Sequence, residues 1–202
     1  MRKQIYCLLS FLWISCLSVS AADRWAINSA GGITWQVDER VPHEDHIEMS
    51  GLRVSTVLRY GVDANGAFML NRSMVWPMLR TIPNNTHASL MRRFAWDASN
   101  MVSVNGQSLS GEKVNKITLD GKMTVESTVE LSRNAKAKLT RVIFPAVTNP
   151  AVYEKYILRN TGETPLVVEV PESRAVTNTE AAKGVDGSYK LVSEIIGGTT
   201  RQ

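Results

Sequence analysis

Residues 114–144 read VNKITLDGKMTVESTVELSRNAKAKLTRVIF, and this stretch alternates apolar and polar side chains on either side of two turn sequences. Alternation with a period of two is typical of strands that bury one face of a sheet. At the first turn, a three-residue loop pairs Leu119 with Met123 and Ile117 with Val125. We expect this register because it keeps one face of the hairpin apolar, whereas a two-residue loop does not.

The second turn falls at residues 133–135. The apolar residues of the two flanking strands match if Val129 pairs with Leu139 and Val125 pairs with Ile143. The stretch as a whole therefore predicts three antiparallel strands that are joined by two hairpins.

Glu126 and Glu130 resemble the carboxylate pair of a glycoside hydrolase, but their position argues against that role. They are four residues apart on one strand and lie on its polar face, where water solvates them. A catalytic acid needs a cleft that raises its pKa, and an open sheet face supplies none. The pattern predicts two surface glutamates.

Short strand patterns recur through the rest of the chain. They cover residues 23–28, 33–37, 45–50, 53–62, 67–70, 153–160, 166–170 and 188–195. Residues 172–186 are polar, with a short helix pattern at 179–183. No long helical pattern follows residue 21, and no repeat of fixed period is present. The sequence predicts an all-β fold, an antiparallel β-sandwich over residues 22–202.

The first 21 residues have the features of an export signal. Arg2 and Lys3 precede an apolar run, and small residues around Ala21 form a cleavage site. The expected location is the periplasm. An alternative is a lipoprotein signal with Cys16 acylated, which would place the protein on a membrane surface.

Composition excludes several classes of protein once the signal is removed. Both cysteines, Cys7 and Cys16, lie within the signal, so residues 22–202 offer no disulfide, thiolate nucleophile or cysteine metal site. The same residues carry 21 basic and 19 acidic side chains, a formal charge of +2, without runs of like charge. This pattern does not favour a nucleic-acid partner. The hydrophobic fraction of 44% is sufficient for one sizeable core.

Residues 71–97 are rich in arginine, asparagine and tryptophan, and they contain Pro77 and Pro83. Because each proline removes a backbone donor and favours extended geometry before it, we expect pieces of extended chain joined by a polar loop at residues 81–89. The apolar ends of this long segment are anchored in the core. Planar donors and indole rings are suited to recognising the hydroxyls and apolar faces of sugars. The alternative is that the arginines cap carbonyls and the tryptophans belong to the core. The candidate sugar-binding residues are Arg72, Trp76, Arg80, Asn84, His87 and Arg92.

His43, Asp45 and His46 offer imidazole and carboxylate groups close together in the sequence. Their spacing is not that of a zinc helix motif, and on a strand the two histidines point to opposite faces. We predict no metal site and no cofactor. The sequence also lacks a glycine-rich phosphate loop and a nucleophile elbow.

Four segments carry a resemblance to a known family. They are DHIEMSG (45–51), VLRYGV (57–62), NRSMVWPMLRTIPNNTHASLMRRFAWD (71–97) and EKYILRNTGETPLVVEVP (154–171). They resemble the N-terminal β-sandwich, or supersandwich, of exported six-hairpin glycoside hydrolases of saccharolytic Gram-negative bacteria.

The resemblance implies a sandwich that precedes a toroid of paired helices, where the catalytic carboxylates of that family lie. Such enzymes cleave glycosidic bonds of complex polysaccharides, and α-L-rhamnosidase-like activity is one example. The sequence given reaches Gln202 before a helical toroid begins, so no catalytic residue is carried over and a truncated product is expected.

Two functions of different classes remain open. The first is an accessory, non-catalytic domain that packs on a C-terminal helical catalytic domain and lends it a loop from residues 71–97. It predicts an uncovered apolar surface for docking. The second is a stand-alone carbohydrate-binding module, which predicts an aromatic platform near Trp76 or Trp96.

Overall fold

A computed structural model describes residues 24–37, 42–81, 88–94, 98–109, 111–132 and 135–197. The predicted export signal and Cys16 lie outside these residues. Among the residues described, no helix has the length and hydropathy needed to cross a membrane.

The secondary structure consists of strands and two short 3-10 turns, Ala98–Met101 and Ala181–Lys183. The strands are β1 (Ala26–Ile27), β2 (Ile33–Gln36), β3 (His43–Ser50), β4 (Ser55–Val62), β5 (Phe68–Arg80), β6 (Ser89–Phe94), β7 (Ser103–Val104), β8 (Gln107–Ser108), β9 (Glu112–Leu119), β10 (Met123–Ser132), β11 (Ala135–Pro145), β12 (Val152–Asn160), β13 (Val168–Glu169), β14 (Ser173–Asn178) and β15 (Lys190–Ile195).

Two antiparallel sheets form the main framework. The six-stranded sheet has the order β1-β2-β9-β10-β11-β12, and the four-stranded sheet has the order β3-β4-β5-β6. Smaller sheets join β13, β7 and β8, and pair β14 with β15. The prediction of an all-β, antiparallel, sandwich-like protein is confirmed.

The core lies between the inner faces of the two large sheets. Leu58 and Tyr60 of the four-stranded sheet cluster with Ile117, Val125 and Ile143 of the six-stranded sheet, all at most 2% exposed. Removing this apolar area from water is the main stabilising term of such a fold. The period-two alternation in the sequence is what places these residues on one face.

The predicted register of the first hairpin is confirmed. Leu119 pairs with Met123 and Ile117 pairs with Val125 around the turn at Gly121. The φ of Gly121 is +84°, in the left-handed region that glycine tolerates without a steric cost.

The predicted register of the second hairpin is wrong by two residues. Val129 pairs with Ala137 and Val125 pairs with Arg141, and the ladder is irregular between Glu130 and Ser132. A shift of two preserves the inward and outward alternation, so the apolar pattern does not distinguish the two registers. The bulge decides between them.

The extended pieces expected at both ends of residues 71–97 are present, but Arg72, Trp76 and Arg80 lie on a paired strand and not on a loop. β5 continues through Pro77 to Arg80, and β6 returns beside it as its hairpin partner. Pairing of β5 with β4 stops at Val75, and the ladder to β6 shifts between Trp76 and Arg80. Pro77 therefore lies where the ladder is interrupted and needs no amide donor.

Only one of the two strands of the β14–β15 hairpin is predicted from the sequence. A strand was expected over residues 188–195, but its partner β14 lies in the segment interpreted as polar with a short helix. Five of the six residues of β14 are exposed, so the strand has no buried face to produce alternation. The expected helix is the single 3-10 turn Ala181–Lys183.

Candidate functional site

The outer end of the β5–β6 hairpin is anchored by Trp76. This side chain is 7% exposed and packs with Val54, Leu90 and Tyr189. Its indole Nε1 donates a hydrogen bond to the carbonyl of Pro150 at 2.8 Å. Trp76 thus has its polar atom satisfied and its ring buried, as core tryptophans do. It does not form an open platform for a sugar.

Arg80, at the end of β5, is hydrogen-bonded to the base of the hairpin of β14 and β15, which we call the C-terminal hairpin. Its carbonyl accepts a hydrogen bond from the hydroxyl of Tyr189 at 2.7 Å and another from the amide of Val185 at 3.1 Å. The adjacent Thr81 forms a bridge to Gly184. The tip of β5–β6 and the hairpin of β14 and β15 therefore form one end of the molecule, which we call the hairpin junction.

A cleft of about 260 Å³ lies beside the C-terminal hairpin. Met101 forms one wall, and the side chains of β14 and β15 form the other. The lining residues are Met101, Ser173, Ala175, Ser193, Glu194 and Ile195. Small residues on the paired strands leave this space open. On the opposite face of the hairpin, Val176 and Val192 pair across the strands and are 45% and 47% exposed.

Arg72 was expected on a loop, but it lies between the sheets and is 4% exposed. Its Nε and Nη2 both donate to the carboxylate of Glu154 on β12, the second contact at 2.7 Å. The hydroxyl of Tyr156 donates to the same carboxylate at 2.8 Å. A two-pronged pair of this kind is among the stronger polar contacts in proteins. Arg72 is therefore not presented at the surface.

A second interior arginine, Arg141 of β11, lies beside the same tyrosine. Its Nη2 donates to Glu112 at 2.6 Å and to Ser99 at 3.1 Å. Its guanidinium lies over the rings of Phe68 and Tyr156 at 5.3 and 5.6 Å. Sequence reasoning missed this network, because Glu112 and Glu154 lie far from their arginines along the chain. The only sequence signal for Glu112 and Glu154 is that each is an acidic residue at an inward position of a strand.

The other candidate sugar-binding residues divide into two groups. Arg92 is exposed on β6, the edge strand of the four-stranded sheet. Asn84 and His87 lie outside the described residues, in the connection between β5 and β6. Of the six candidates, the structure brings Trp76 and Arg80 to the hairpin junction and places Arg72 in the interior.

The histidine and carboxylate cluster at the start of β3 is organised around Asp45. Its carboxylate accepts from Arg24 at 3.2 Å and from the indole of Trp25 at 3.3 Å, and His43 Nε2 lies 3.3 Å away. His46 projects to the opposite, exposed face. No group of three potential metal ligands is present among the residues that the structure describes. The cluster joins the N-terminal strands to the four-stranded sheet.

Burial affects the acid–base properties of Tyr60, the cross-strand neighbour of Asp45. Desolvation raises the pKa of Tyr60 well above its ordinary value, and the nearby carboxylate adds to the effect. The phenol is therefore neutral throughout the physiological range.

Glu126 is held in the ionised state. Hydrogen bonds from Lys116 and Lys138 lower the pKa of its carboxyl, and these outweigh its partial burial. A general acid for glycoside cleavage needs the opposite shift. This direction agrees with the interpretation of Glu126 as a surface residue.

Comparison with known proteins gives no relative, since no family model, curated protein or solved structure matches the chain.

Proposed function

We propose that this chain is the accessory β-sandwich domain of an exported, periplasmic glycoside hydrolase that acts on complex polysaccharides. In this role it does not cleave the glycosidic bond itself. It docks against a helical catalytic domain, and the β5–β6 tip contributes to the rim of the active site.

The observation that carries the proposal is the exposure of the C-terminal hairpin. A two-stranded hairpin is marginally stable in water unless something packs against it. Here Val176 and Val192 face solvent as an apolar cross-strand pair, and Ile196 beyond them is 81% exposed. Exposed apolar surface of this kind is typical of a docking site.

The position of the β5–β6 tip supports a role at a shared active-site rim. Arg80 is fixed by Tyr189 at the base of the exposed hairpin. The chain that follows Arg80 carries Asn84 and His87, whose amide and imidazole groups suit sugar hydroxyls. A domain docked on the hairpin would therefore lie next to Arg80, where this connection begins.

The carboxylates of the described residues support a non-catalytic role. Glu112 and Glu154 accept hydrogen bonds from interior arginines, and Glu126 is bound by two lysines. The two interior glutamates are engaged in these contacts and the pKa of Glu126 is lowered, whereas glycoside cleavage requires one carboxyl that holds its proton near neutral pH. The burial of Trp76 likewise argues against a stand-alone binding module with a platform at that residue.

Activity of the purified chain gives the first test. The chain is incubated with a panel of plant polysaccharides and α-L-rhamnosides, and the release of reducing sugar is measured. We expect no release above a buffer control. Cleavage by the chain alone would contradict the proposal.

The docking surface gives the second test. We expect the coding DNA to continue in frame beyond codon 202 into a helical domain, and that domain, produced separately, to bind the purified chain in calorimetry. Replacing Val176 and Val192 by aspartate should abolish this binding, because it places charge in an apolar contact. The matched control replaces the neighbouring polar pair, Asn178 and Lys190, and should retain binding. A reading frame without a helical domain would overturn the proposal.

A further inference from the structure

Ion pairs occur on the outer faces of both large sheets, and on the four-stranded sheet Glu44 pairs with Arg59 at 2.6 Å. On the six-stranded sheet, Glu126 bridges Lys116 and Lys138, and Glu130 lies 3.7 Å from Lys136. These charges neutralise one another within the protein. The centre of this face is polar, whereas Tyr153 and Ile157 on its β12 edge are 47% and 43% exposed.

The outer face of the four-stranded sheet has a different pattern. One cross-strand row contains, from β3 to β6, Glu48, Val57, Ser73 and Arg93. The two charged residues are at opposite edges of the sheet, and both are exposed. Within the residues that the structure describes, neither has an ion-pair partner. The row is acidic at one edge, small or apolar in the centre and basic at the other edge.

The next row continues the apolar centre. It contains Ser50, Ser55, Val75 and Met91, and Met91 is 50% exposed. A single exposed apolar residue needs no explanation, but here apolar and small side chains occupy adjacent rows. The surface can therefore lie against a flat partner without burying an unpaired charge at its centre.

We propose that this face binds a second copy of the same chain, with a two-fold axis parallel to the strands between β4 and β5. The rotation places β3 of one copy over β6 of the other. Glu48 then faces Arg93 of the second copy, and the contact occurs twice. Val57 faces Ser73, and Val75 faces Ser55. The two sheets pack with strands aligned, as in a β-sandwich, at a separation of roughly 10 Å.

Charge selects this axis over the alternative. A two-fold axis across the strands would place β3 over β3 and β6 over β6. Glu48 would then face the acidic edge of the second copy, and Arg93 would face its basic edge. Like charges at a contact are unfavourable, so the self-complementary arrangement is the one parallel to the strands.

The size of the face sets the strength of the dimer. Four strands spaced about 4.8 Å apart, with six paired positions along β6, present roughly 400 Å² of projected surface per copy. Stable interfaces bury about 800 Å² of accessible surface per partner. The face is about half that size, so we expect a weak, reversible dimer that forms only at high protein concentration. This inference does not depend on the proposed function.

Sedimentation velocity of the purified chain, from about 5 to 500 μM, tests the dimer, because standard interfaces range from micromolar to picomolar dissociation constants and this face is smaller. Glu48→Arg and Arg93→Glu should each raise the dissociation constant at least tenfold, because each creates two like-charge contacts. The double variant, in which the charges are exchanged, should recover most of the affinity.

The matched control is Glu130→Arg on the outer face of the six-stranded sheet. It changes the net charge by the same amount as Glu48→Arg and should leave the dissociation constant unchanged. Circular dichroism confirms that each variant is folded. A chain that remains monomeric throughout the concentration range would overturn the proposal. So would a dimer that tolerates both single reversals, or one that the charge exchange does not restore.

Discussion

The guanidinium of Arg72 on β5 and the carboxylate of Glu154 on β12 form a two-pronged ion pair that joins the two large sheets. The arginine side chain is 4% exposed and the glutamate 18%. Such a pair holds β5 and the edge strand β12 in one relative position. Its net stabilisation is modest, but breaking it leaves a buried charge without its partner.

Arg72→Met should therefore lower the free energy of unfolding by about 3 kcal/mol, because Glu154 is left buried and uncompensated. Urea denaturation followed by circular dichroism measures this change. The double variant with Glu154→Gln should recover a large part of the loss.

Arg159→Met provides the control for Arg72→Met, since Arg159 is exposed on the same edge strand as Glu154. It should change stability by less than about 0.5 kcal/mol. Equal effects of the two substitutions would contradict a structural role for the ion pair.

This pair also shows where sequence reasoning reaches its limit. The turn at Gly121 fixes the register of its hairpin locally, so that register could be predicted from adjacent residues. The partner of Arg72 is 82 residues away, and nothing near Arg72 indicates it. Arg72 was consequently interpreted as part of a sugar-binding loop.

The β10–β11 register shows a second limit. Alternation distinguishes the faces of a strand but not shifts by two residues, and the bulge after Glu130 decided the pairing. The same alternation predicted the all-β class correctly. At the candidate site, Tyr189 was missed because its contact with the Arg80 carbonyl involves backbone, which carries no side-chain signal.

Gly51 is expected to tolerate no larger residue. A methyl group at this position would lie 1.9 Å from the carbonyl oxygen of Ala146, where the loops of the two large sheets meet. Gly51→Ala should destabilise the protein by about 3 kcal/mol, because backbone on both sides has to shift. Thermal unfolding measures the effect.

Gly197→Ala is the matched control for that substitution. An added methyl group at Gly197 meets no atom within 4 Å, and its φ is not in the left-handed region. It should leave the melting temperature nearly unchanged. A Gly51→Ala protein as stable as this control would refute the close approach of the loops.

Glu126 should contribute a pH-dependent increment of stability. Its lysine partners lower the pKa of its carboxyl in the folded state. Its stabilisation is therefore complete above the unfolded pKa of about 4.3 and is lost as the pH falls through the lower folded pKa. Glu126→Gln should cost roughly 0.5–1 kcal/mol at pH 7, and the difference from the native chain should shrink below pH ~4. Denaturant titrations at pH 7 and pH 3 measure this difference in the free energy of unfolding.

Glu130→Gln serves as the comparison for Glu126→Gln, because Glu130 is 58% exposed and 3.7 Å from its lysine. It should have a smaller effect at both pH values. A Glu126→Gln deficit that persists unchanged at pH 3 would show that the loss is not electrostatic.

Asp45 should hold the N-terminal strands against the four-stranded sheet. Asp45→Asn removes the charge that Arg24 and Trp25 contact and should lower stability by about 1 kcal/mol. We also expect Asp45→Asn to speed amide hydrogen exchange in β1 and β2 relative to the native chain. Exchange in β10 and β11 should change less. Asp186→Asn, at an exposed turn, should change neither quantity. Unaltered exchange in β1 and β2 would rule out this anchoring role.

The pairing of β2 with β9 has a consequence for the order in which the chain can fold. Trp35 pairs with Ile117, whereas every partner within the four-stranded sheet is supplied by the next strand in the chain. The four-stranded sheet needs only short loop closures, which are entropically cheaper and faster than the long closure from β2 to β9. We expect pulse-labelled hydrogen exchange to find β3 to β5 protected before β2, so the first strands synthesised are among the last to dock.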